Sequence, residues 1–242
     1  MKNIASIILL VLTSFLGLSC QAQSSKSNSD DIYKYKDPSW DGTGKVYLGR
    51  EISHVMGFAG KEWLERAERE REEGIALALE NLPIDSKSVV ADIGAGSGYY
   101  TFRISPLVPE GKVYAVDIQD DAVTYIKQQS EKLGVENVIP IKGTETTPNL
   151  PKGVIDLVIM VDVYHELSYP QEMLSAIYES LKPDGKILLL EYKGEDPTIN
   201  IKPLHKMTER QAKKELKANG FELVENGNFL PIQHYLIFEK RD

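Results

Sequence analysis

Cysteine is almost absent from this sequence: Cys20 is the only one in 242 residues, which excludes a framework of disulfides within the chain. Histidine is also scarce, and its four positions lack the paired spacing of a zinc-binding motif, so we expect no metal site. Lys and Arg total 28 against 36 Asp and Glu, and no segment concentrates the basic residues. Because nucleic-acid phosphates are bound by clustered positive charge, we expect no nucleic-acid partner.

The N-terminus has the pattern of a secretory signal over residues 1–20. Lys2 precedes a largely apolar run, 4–18, which is too short to span a bilayer comfortably. Cys20 stands where a bacterial lipoprotein carries its lipid, although the residues before it depart from the usual lipobox. The sequence therefore predicts export to the cell envelope or periplasm, with membrane contact only through a lipid anchor at Cys20. Cleavage after Ala22 to a soluble secreted form, and an uncleaved or cytoplasmic form, are the alternatives.

Three further segments differ in composition. Residues 21–37 are polar and predict a flexible tether. Residues 38–61 combine Trp40, Phe58 and five glycines without periodicity, which indicates an ordered cap or lid. Residues 62–242 show regular alternation of helical and strand patterns, and we expect them to form the main domain. Within them, the charged stretch up to residue 73 has mixed signs and a helical period, typical of a solvated helix face.

Two neighbouring apolar segments predict a nucleoside pocket. The first, 89–93, enters a turn with glycines at 94, 96 and 98, and the second, 113–116, ends in Asp117. Glycines let the backbone approach a ligand, and a carboxylate after the next strand can bind ribose hydroxyls. A dinucleotide fingerprint would need glycine where Tyr99 stands, and no phosphate-binding loop is present. The spacing therefore disfavours a dinucleotide ligand.

The pattern Asp92-x-Gly94-x-Gly96-x-Gly98 resembles the first motif of the class I S-adenosylmethionine-dependent methyltransferases. The resemblance implies S-adenosyl-L-methionine as the methyl-donating cofactor. The residues that it implies for cofactor binding in this region are Asp92, Gly94, Ala95, Gly96, Gly98, Asp117 and Ile118. The alternative is a plain strand–turn–helix connection without a ligand. That alternative does not explain why an acidic residue, Asp117, ends the next strand.

The order of predicted elements is typical of the same family. Helices are predicted over 62–81, 99–105, 120–133, 171–181 and 208–219, and strands over 88–93, 112–117, 137–141, 155–161, 186–191, 221–225 and 234–240. The run 155–161 is apolar without alternation, which suits a central parallel strand buried on both faces. We therefore predict an α/β fold: a Rossmann-like, doubly wound, mostly parallel seven-stranded sheet with a C-terminal antiparallel hairpin.

Later motifs extend the resemblance over roughly residues 62–240. The fourth strand of the domain ends in Asp162, where the family places an acid beside the methionine part of the cofactor. Residues 181–185, Leu-Lys-Pro-Asp-Gly, match the turn into the fifth strand. Where the family often has Gly-Asp for the adenine amine, this chain has Gly-Thr-Glu, so either Thr144 or Glu145 can serve.

The reaction determines which further residues matter. A sulfonium methyl is already activated, so the protein mainly aligns donor and acceptor, and a base is needed only for a protonated acceptor. Tyr164, His165 and Glu166 follow the fourth strand, where α/β sheets bind ligands. We expect His165 to act as a base or to orient the acceptor, with Glu166 setting its tautomer or contacting substrate. The alternative is that Tyr164 only packs beneath the lid and His165 is an ordinary loop residue.

The remaining histidines have separate predictions: His54 and His205 can close over the site, whereas His234 is structural. Three short stretches, 44–56, 161–166 and 201–207, also resemble exported bacterial methyltransferase-like proteins that have no known substrate. The predicted function is transfer of a methyl group to a small-molecule or envelope acceptor. The alternatives are an exported, non-catalytic nucleoside-binding module on the same fold, and another nucleotide-dependent enzyme such as an oxidoreductase.

Overall fold

A computed structural model of the chain describes residues 32–241. The predicted signal segment, Cys20 and most of the predicted tether lie outside the described residues. Across the described range, no helix has the length and apolar content needed to cross a membrane.

A small antiparallel sheet precedes the main domain. Its strands are β1 (Tyr33–Tyr35), β2 (Gly42–Tyr47) and β3 (Arg50–Ser53), in the order β1-β2-β3. Its own buried apolar cluster consists of Tyr33, Tyr47 and Ile52. The cap predicted over 38–61 thus contains two strands, and the tether was predicted to extend too far because β1 lies within 21–37.

The main domain contains a seven-stranded sheet. Its strands are β4 (Val89–Ile93), β5 (Lys112–Asp117), β6 (Val138–Lys142), β7 (Ile155–Val161), β8 (Leu181–Tyr192), β9 (Phe221–Asn226) and β10 (Gln233–Lys240). Their order is β6-β5-β4-β7-β8-β10-β9, with β10 antiparallel to both of its neighbours and the other pairs parallel. The predicted α/β fold with its C-terminal antiparallel hairpin is therefore confirmed.

Within residues 32–241, six α-helices accompany these strands: α1 (Lys61–Leu64), α2 (Ile75–Glu80), α3 (Thr101–Ile104), α4 (Asp120–Leu133), α5 (Pro170–Ser180) and α6 (Glu209–Ala218). The single helix predicted over 62–81 is wrong. The segment is divided into α1, a π-helical turn at Glu70–Gly74 and α2. α1 ends at Leu64, and Gly74, whose φ of 70° is left-handed, separates the π-helical turn from α2.

Burial on both faces of the sheet explains the apolar strand sequences. In β7, Leu157 and Ile159 join one buried cluster, whereas Val158 and Met160 join the cluster on the other face. Successive strand side chains point to opposite faces, so covering both faces removes β7 from water. This arrangement leaves the carboxyl ends of the parallel strands as the open edge of the sheet, where ligands bind in such folds.

The small sheet is fastened to the main domain beside that edge. Tyr33 donates a hydrogen bond to Glu172 of α5, and Asn219 donates one to the Tyr47 hydroxyl, 2.6 Å away. Ser53 of β3 donates to the backbone oxygen of His165. The segment that follows β3 is therefore held directly over the carboxyl ends of the central strands.

Candidate active site

A cavity of about 480 Å³ opens at the carboxyl ends of β4, β5 and β7. The neighbours of β4 on its two sides, β5 and β7, are reached by connections in opposite directions, which is the switch point where α/β sheets bind ligands. Of the residues predicted for the site, the cavity wall contains Gly94, Gly96, Asp117, Ile118, Thr144, Glu145, Asp162, His165 and Glu166. The fold therefore brings both ends of the predicted cofactor site together.

The glycine turn forms one side of the cavity. The backbone N–H groups of Gly94 and Ala95 both donate to the Val116 carbonyl, at 2.8 and 3.0 Å, which ties the turn to β5. Gly96 has a φ of 56°, and a Cβ there would lie 2.7 Å from a methyl carbon of Leu64. The residue must therefore be glycine for the turn to pass beneath α1 and still face the cavity.

Two predicted contacts of this turn lie outside the wall. Ala95 packs into the apolar cluster. A Cβ at Gly98 would lie 2.5 Å from the Phe102 ring, so this glycine permits packing within the domain. Ala95 and Gly98 therefore shape the turn and lie outside the cavity wall as described, and their contact with a cofactor stays a prediction.

Asp92 is also absent from the cavity wall, contrary to its predicted cofactor contact. Its carboxylate is buried and accepts a hydrogen bond from the Thr101 hydroxyl at 2.6 Å. Burial raises the pKa of Asp92 to about 6, although the bond from Thr101 lowers it in part. Asp92 therefore links β4 to α3 beneath the turn.

Asp117 stands at the end of β5, as predicted. One carboxylate oxygen accepts from the Gly96 N–H at 2.9 Å, and the other accepts from the Gln119 N–H at 2.8 Å. Burial raises the pKa of this carboxyl group above its usual value. Each carboxylate oxygen has two lone pairs, so Asp117 keeps acceptor capacity toward the cavity for a pair of hydroxyls.

The neighbouring loop distinguishes the two residues predicted to meet an adenine. The Thr144 hydroxyl accepts from the Thr146 and Thr147 N–H groups, at 3.2 and 3.0 Å, and so closes its own turn. Glu145 is an exposed part of the cavity wall. Since the Thr144 side chain is already engaged, Glu145 is the better acceptor for an amine at this end.

Asp162 also lines the cavity, directly after β7. One oxygen accepts from the Gln233 amide at 2.7 Å, whereas Oδ1 is buried and has no hydrogen-bond partner among the described residues. Burial, and then the charges of Glu73 and Glu191, raise the pKa of Asp162 well above its ordinary value. An unpaired buried carboxylate oxygen is costly, so this position favours a cationic ligand group.

Two arginines in the wall were not recognised from the sequence. Arg66 and Arg69 lie between α1 and the π-helical turn, and both donate to buried Glu73 at 2.7 Å. Burial lowers the pKa of Arg69, but attraction to Glu73 and Asp162 outweighs it and raises the pKa overall. Within the stretch interpreted as a solvated helix face, Arg66 and Arg69 therefore line the cavity, whereas most of the other residues are exposed or half-buried. The i,i+4 spacing of Arg69 and Glu73 is also typical of pairs on exposed helices, so the sequence did not indicate that the two side chains are buried.

The predicted catalytic segment forms a short 3-10 helix, Tyr164–Glu166, after β7. His165 is buried, with Nδ1 2.6 Å from Glu191 Oε2 and Nε2 3.2 Å from His205 Nδ1. His165 and Glu166 both contribute to the cavity wall, as predicted. Tyr164 does not: it is buried and donates to Glu215 at 2.8 Å, so its catalytic assignment is corrected to one of packing and support.

The segment after β3 bridges the cavity mouth. The Met56 N–H donates to Glu166 Oε2 at 3.1 Å, and the Phe58 N–H donates to the Gln119 side chain at 2.7 Å. His54 and His205 both line the cavity, whereas His234 pairs with Glu195 at 2.9 Å and lies outside the cavity wall. Residues 55–58 thus form a strap of backbone over the site. Hydrogen bonds join this strap to Gln119, after β5, and to Glu166, after β7.

Known proteins resemble this chain in the same region. A family model described as "Methyltransferase domain" matches residues 84–235. The uncharacterized methyltransferase YcgJ of Bacillus subtilis is 26% identical over 164 residues, covering 66% of this chain and 64% of that protein. A solved S-adenosylmethionine-dependent methyltransferase of Aquifex aeolicus has a TM-score of 0.71 at 24% identity, covering 76% of this chain and 98% of the other. The trans-methyltransferase CalH, solved with SAH, has a TM-score of 0.54 at 17% identity, covering 64% and 52%.

At these identities the two solved structures show the shared fold. The matches span 34% to 64% of the length of the curated relatives, whose named reactions differ from one another. The family model covers more than half of the chain and includes β4 through most of the last hairpin. The chain therefore belongs to the methyltransferase-domain family.

Proposed function

We propose that this protein is an S-adenosylmethionine-dependent methyltransferase that acts on a small molecule or on a component of the cell envelope. One observation supports the proposal: one cavity is lined both by Asp117 and by Asp162, whose Oδ1 has no partner among the described residues, after the two strands that flank β4. A ligand with two hydroxyls near one end and a cationic group near the other matches this pair.

The residues present fit such a donor. Asp117 suits the ribose hydroxyls, and Ile118 with Glu145 suits the adenine ring and its amine. Asp162 suits the ammonium group, because its buried oxygen gains the partner that it otherwise lacks. The guanidinium groups of Arg66 and Arg69 suit the carboxylate of the methionine part, since arginine binds carboxylates in a fixed fork geometry.

The bound donor would supply a methyl group that is already activated as a sulfonium. The chain itself then has to position the acceptor and exclude water, which is a proximity effect. His165 and Glu166 are placed to orient the acceptor, because they line the cavity next to Asp162 and are fixed by Glu191 and by Met56. His54 and the strap that follows it cover this end of the cavity.

Isothermal titration of the full chain with S-adenosylmethionine and S-adenosylhomocysteine tests the donor site. We expect both to bind at one site per chain and a nicotinamide dinucleotide to produce no heat, because the glycine spacing disfavours dinucleotides. If neither sulfur nucleoside binds to folded protein, the proposal is wrong.

Transfer is tested separately with radiolabelled methyl donor and a panel of hydroxyl, amine, thiol and carbon acceptors, including envelope extracts. Label transferred to an acceptor supports the enzyme. Tight binding with no transfer to any acceptor would favour a ligand-binding module on this fold.

A further inference from the structure

We propose that His165, Glu166 and His205 bind a divalent transition-metal ion of the Zn²⁺ class at the acceptor end of the cavity. Their donor atoms converge: His205 Nδ1 lies 3.2 Å from both His165 Nε2 and Glu166 Oε1, and the latter two are 3.8 Å apart. A zinc ion bound tetrahedrally at its usual ligand distances separates its donors by roughly 3.3–3.5 Å. The three atoms therefore already have the spacing of a ligand set.

The hydrogen positions on the two histidines give the second argument. His165 Nδ1 forms a hydrogen bond with the Glu191 carboxylate at 2.6 Å, whereas His205 Nε2 lies 3.1 Å from Asp41 Oδ2 without the alignment of a hydrogen bond. The negative charge of the neighbouring carboxylate favours the proton on each outer nitrogen, and at His165 that proton is also hydrogen-bonded. A neutral histidine then has a bare lone pair on its inner nitrogen. Two such lone pairs and Glu166 Oε1 meet at one point, which a cation stabilises.

The carboxylates around this point are held by their other oxygens. Glu166 accepts from Met56 N–H, Glu191 accepts from Tyr164 N–H at 2.8 Å, and Asp41 pairs with Lys202 at 2.7 Å. Histidine ligands that donate their far N–H to a carboxylate are oriented and made better donors. His165 thus has the supporting hydrogen bond that metal ligands usually have, and His205 has a carboxylate 3.1 Å from its far nitrogen.

The donor set indicates the class of ion. Two imidazole nitrogens and one carboxylate suit Zn²⁺ and neighbouring transition metals, whereas Mg²⁺ and Ca²⁺ prefer oxygen ligands throughout. Three protein ligands leave at least one position open. Since His165, Glu166 and His205 all line the cavity, that position is available to an oxygen of the acceptor. This role in acceptor binding rests on the proposed function, but metal binding itself does not.

Equilibrium dialysis of the metal-stripped full chain against Zn²⁺, with the metal measured by mass spectrometry, tests the site. We expect one Zn²⁺ per chain, and at least tenfold weaker binding in the variants His205→Gln and Glu166→Gln. Glu191→Gln, which alters the support of His165 without removing a ligand, should weaken binding by about 10–100-fold. His234→Gln is the matched control, because this histidine pairs with Glu195 outside the cavity wall and should leave Zn²⁺ affinity unchanged.

Circular dichroism and thermal unfolding establish that each variant is folded. Bound Co²⁺ gives a second readout, since its visible spectrum should be lost in His205→Gln and kept in His234→Gln. The proposal is wrong if the folded wild-type chain binds no Zn²⁺. It is also wrong if both ligand variants keep the wild-type Zn²⁺ affinity, or if Mg²⁺ at an equal concentration displaces the Zn²⁺ efficiently. Titration of the same samples with S-adenosylhomocysteine separates the two proposals: failure of nucleoside binding alone refutes the proposed function, and failure of Zn²⁺ binding alone refutes the metal site.

Discussion

Arg50 of β3 and Glu215 of α6 form a buried, two-pronged ion pair that joins the small N-terminal sheet to the main domain. Arg50 Nε and Nη2 donate to the two carboxylate oxygens of Glu215, at 2.8 and 2.9 Å. The third nitrogen, Nη1, donates to the backbone oxygen of His165 at 2.9 Å. The pair therefore supports the segment that carries the candidate acceptor site.

Breaking this pair should destabilise the fold strongly. Removing one partner leaves a buried charge uncompensated, so we expect Arg50→Met or Glu215→Gln to lower the free energy of unfolding by about 3–5 kcal/mol each. The double variant should lose less than the sum of the two, because neither charge is then left unpaired. Urea unfolding measures all three, with Lys213→Met in the exposed Lys213–Glu209 pair as a control that should change stability by less than about 1 kcal/mol. Additive losses would contradict a direct pairing.

The Arg50–Glu215 pair also shows why the N-terminal part was hard to predict. The two residues are 165 positions apart, and neither has a local pattern that identifies its partner. The central sheet was predictable because its strands are apolar runs bounded by turns, and their period is visible in a few residues. The glycine turn and Asp117 were predictable for a related reason, since close backbone approach restricts the residue type.

Other parts of the candidate site depend on contacts that are distant in sequence. His165 and His205 are 40 positions apart, and the sequence spacing predicted no metal site, yet the fold places their ring nitrogens 3.2 Å apart. Arg69 belongs to the charged stretch whose mixed signs and helical period predicted a solvated helix face. In the fold α1 ends at Leu64, and the Arg69 and Glu73 side chains that follow are buried and paired with each other. These contacts result from tertiary packing, so the local periodicity of the sequence does not predict them.

Asp117 gives a test of the nucleoside end of the cavity. If its carboxylate binds the ribose hydroxyls, Asp117→Ala should weaken S-adenosylhomocysteine binding by about 1–3 kcal/mol, measured by isothermal titration. Methylthioadenosine, which has the same ribose but no amino-acid part, should lose affinity by a similar factor. Asp120→Ala is the control, because this neighbouring carboxylate is exposed and pairs with Lys142. Unchanged affinity in Asp117→Ala would refute the ribose assignment.

Asp162 gives the complementary test at the methionine end. Asp162→Asn should weaken S-adenosylhomocysteine binding about 10–100-fold, because the ammonium group loses a charged acceptor. Asparagine tolerates the left-handed backbone of this position, where φ is 52°, so the turn should be preserved. Binding of methylthioadenosine, which lacks the ammonium group, should stay at the wild-type level in the same variant. Equal losses for the two ligands would show that the substitution acts on the whole cavity.

Asp92 should make stability depend on pH in a defined direction. Burial raises its pKa from 3.8 to about 6, so the folded state holds the proton more tightly than the unfolded state does. Between about pH 4 and pH 6 its contribution to stability must therefore fall as the pH rises, and above pH 6 the full cost of burying the charge applies. A shift of about two pKa units corresponds to about 3 kcal/mol.

Asp92→Asn removes this titration while its side-chain oxygen can still accept the hydrogen bond from Thr101. The stability of the variant relative to wild type should consequently rise by about 2–3 kcal/mol between pH 4 and pH 7. Chemical unfolding at several pH values measures this difference, and the other titrating groups are common to both proteins and cancel. Exposed Asp184→Asn provides the control and should follow the wild-type curve. A constant difference between Asp92→Asn and wild type would mean that Asp92 titrates alike in the folded and unfolded chain, and burial would then not raise its pKa.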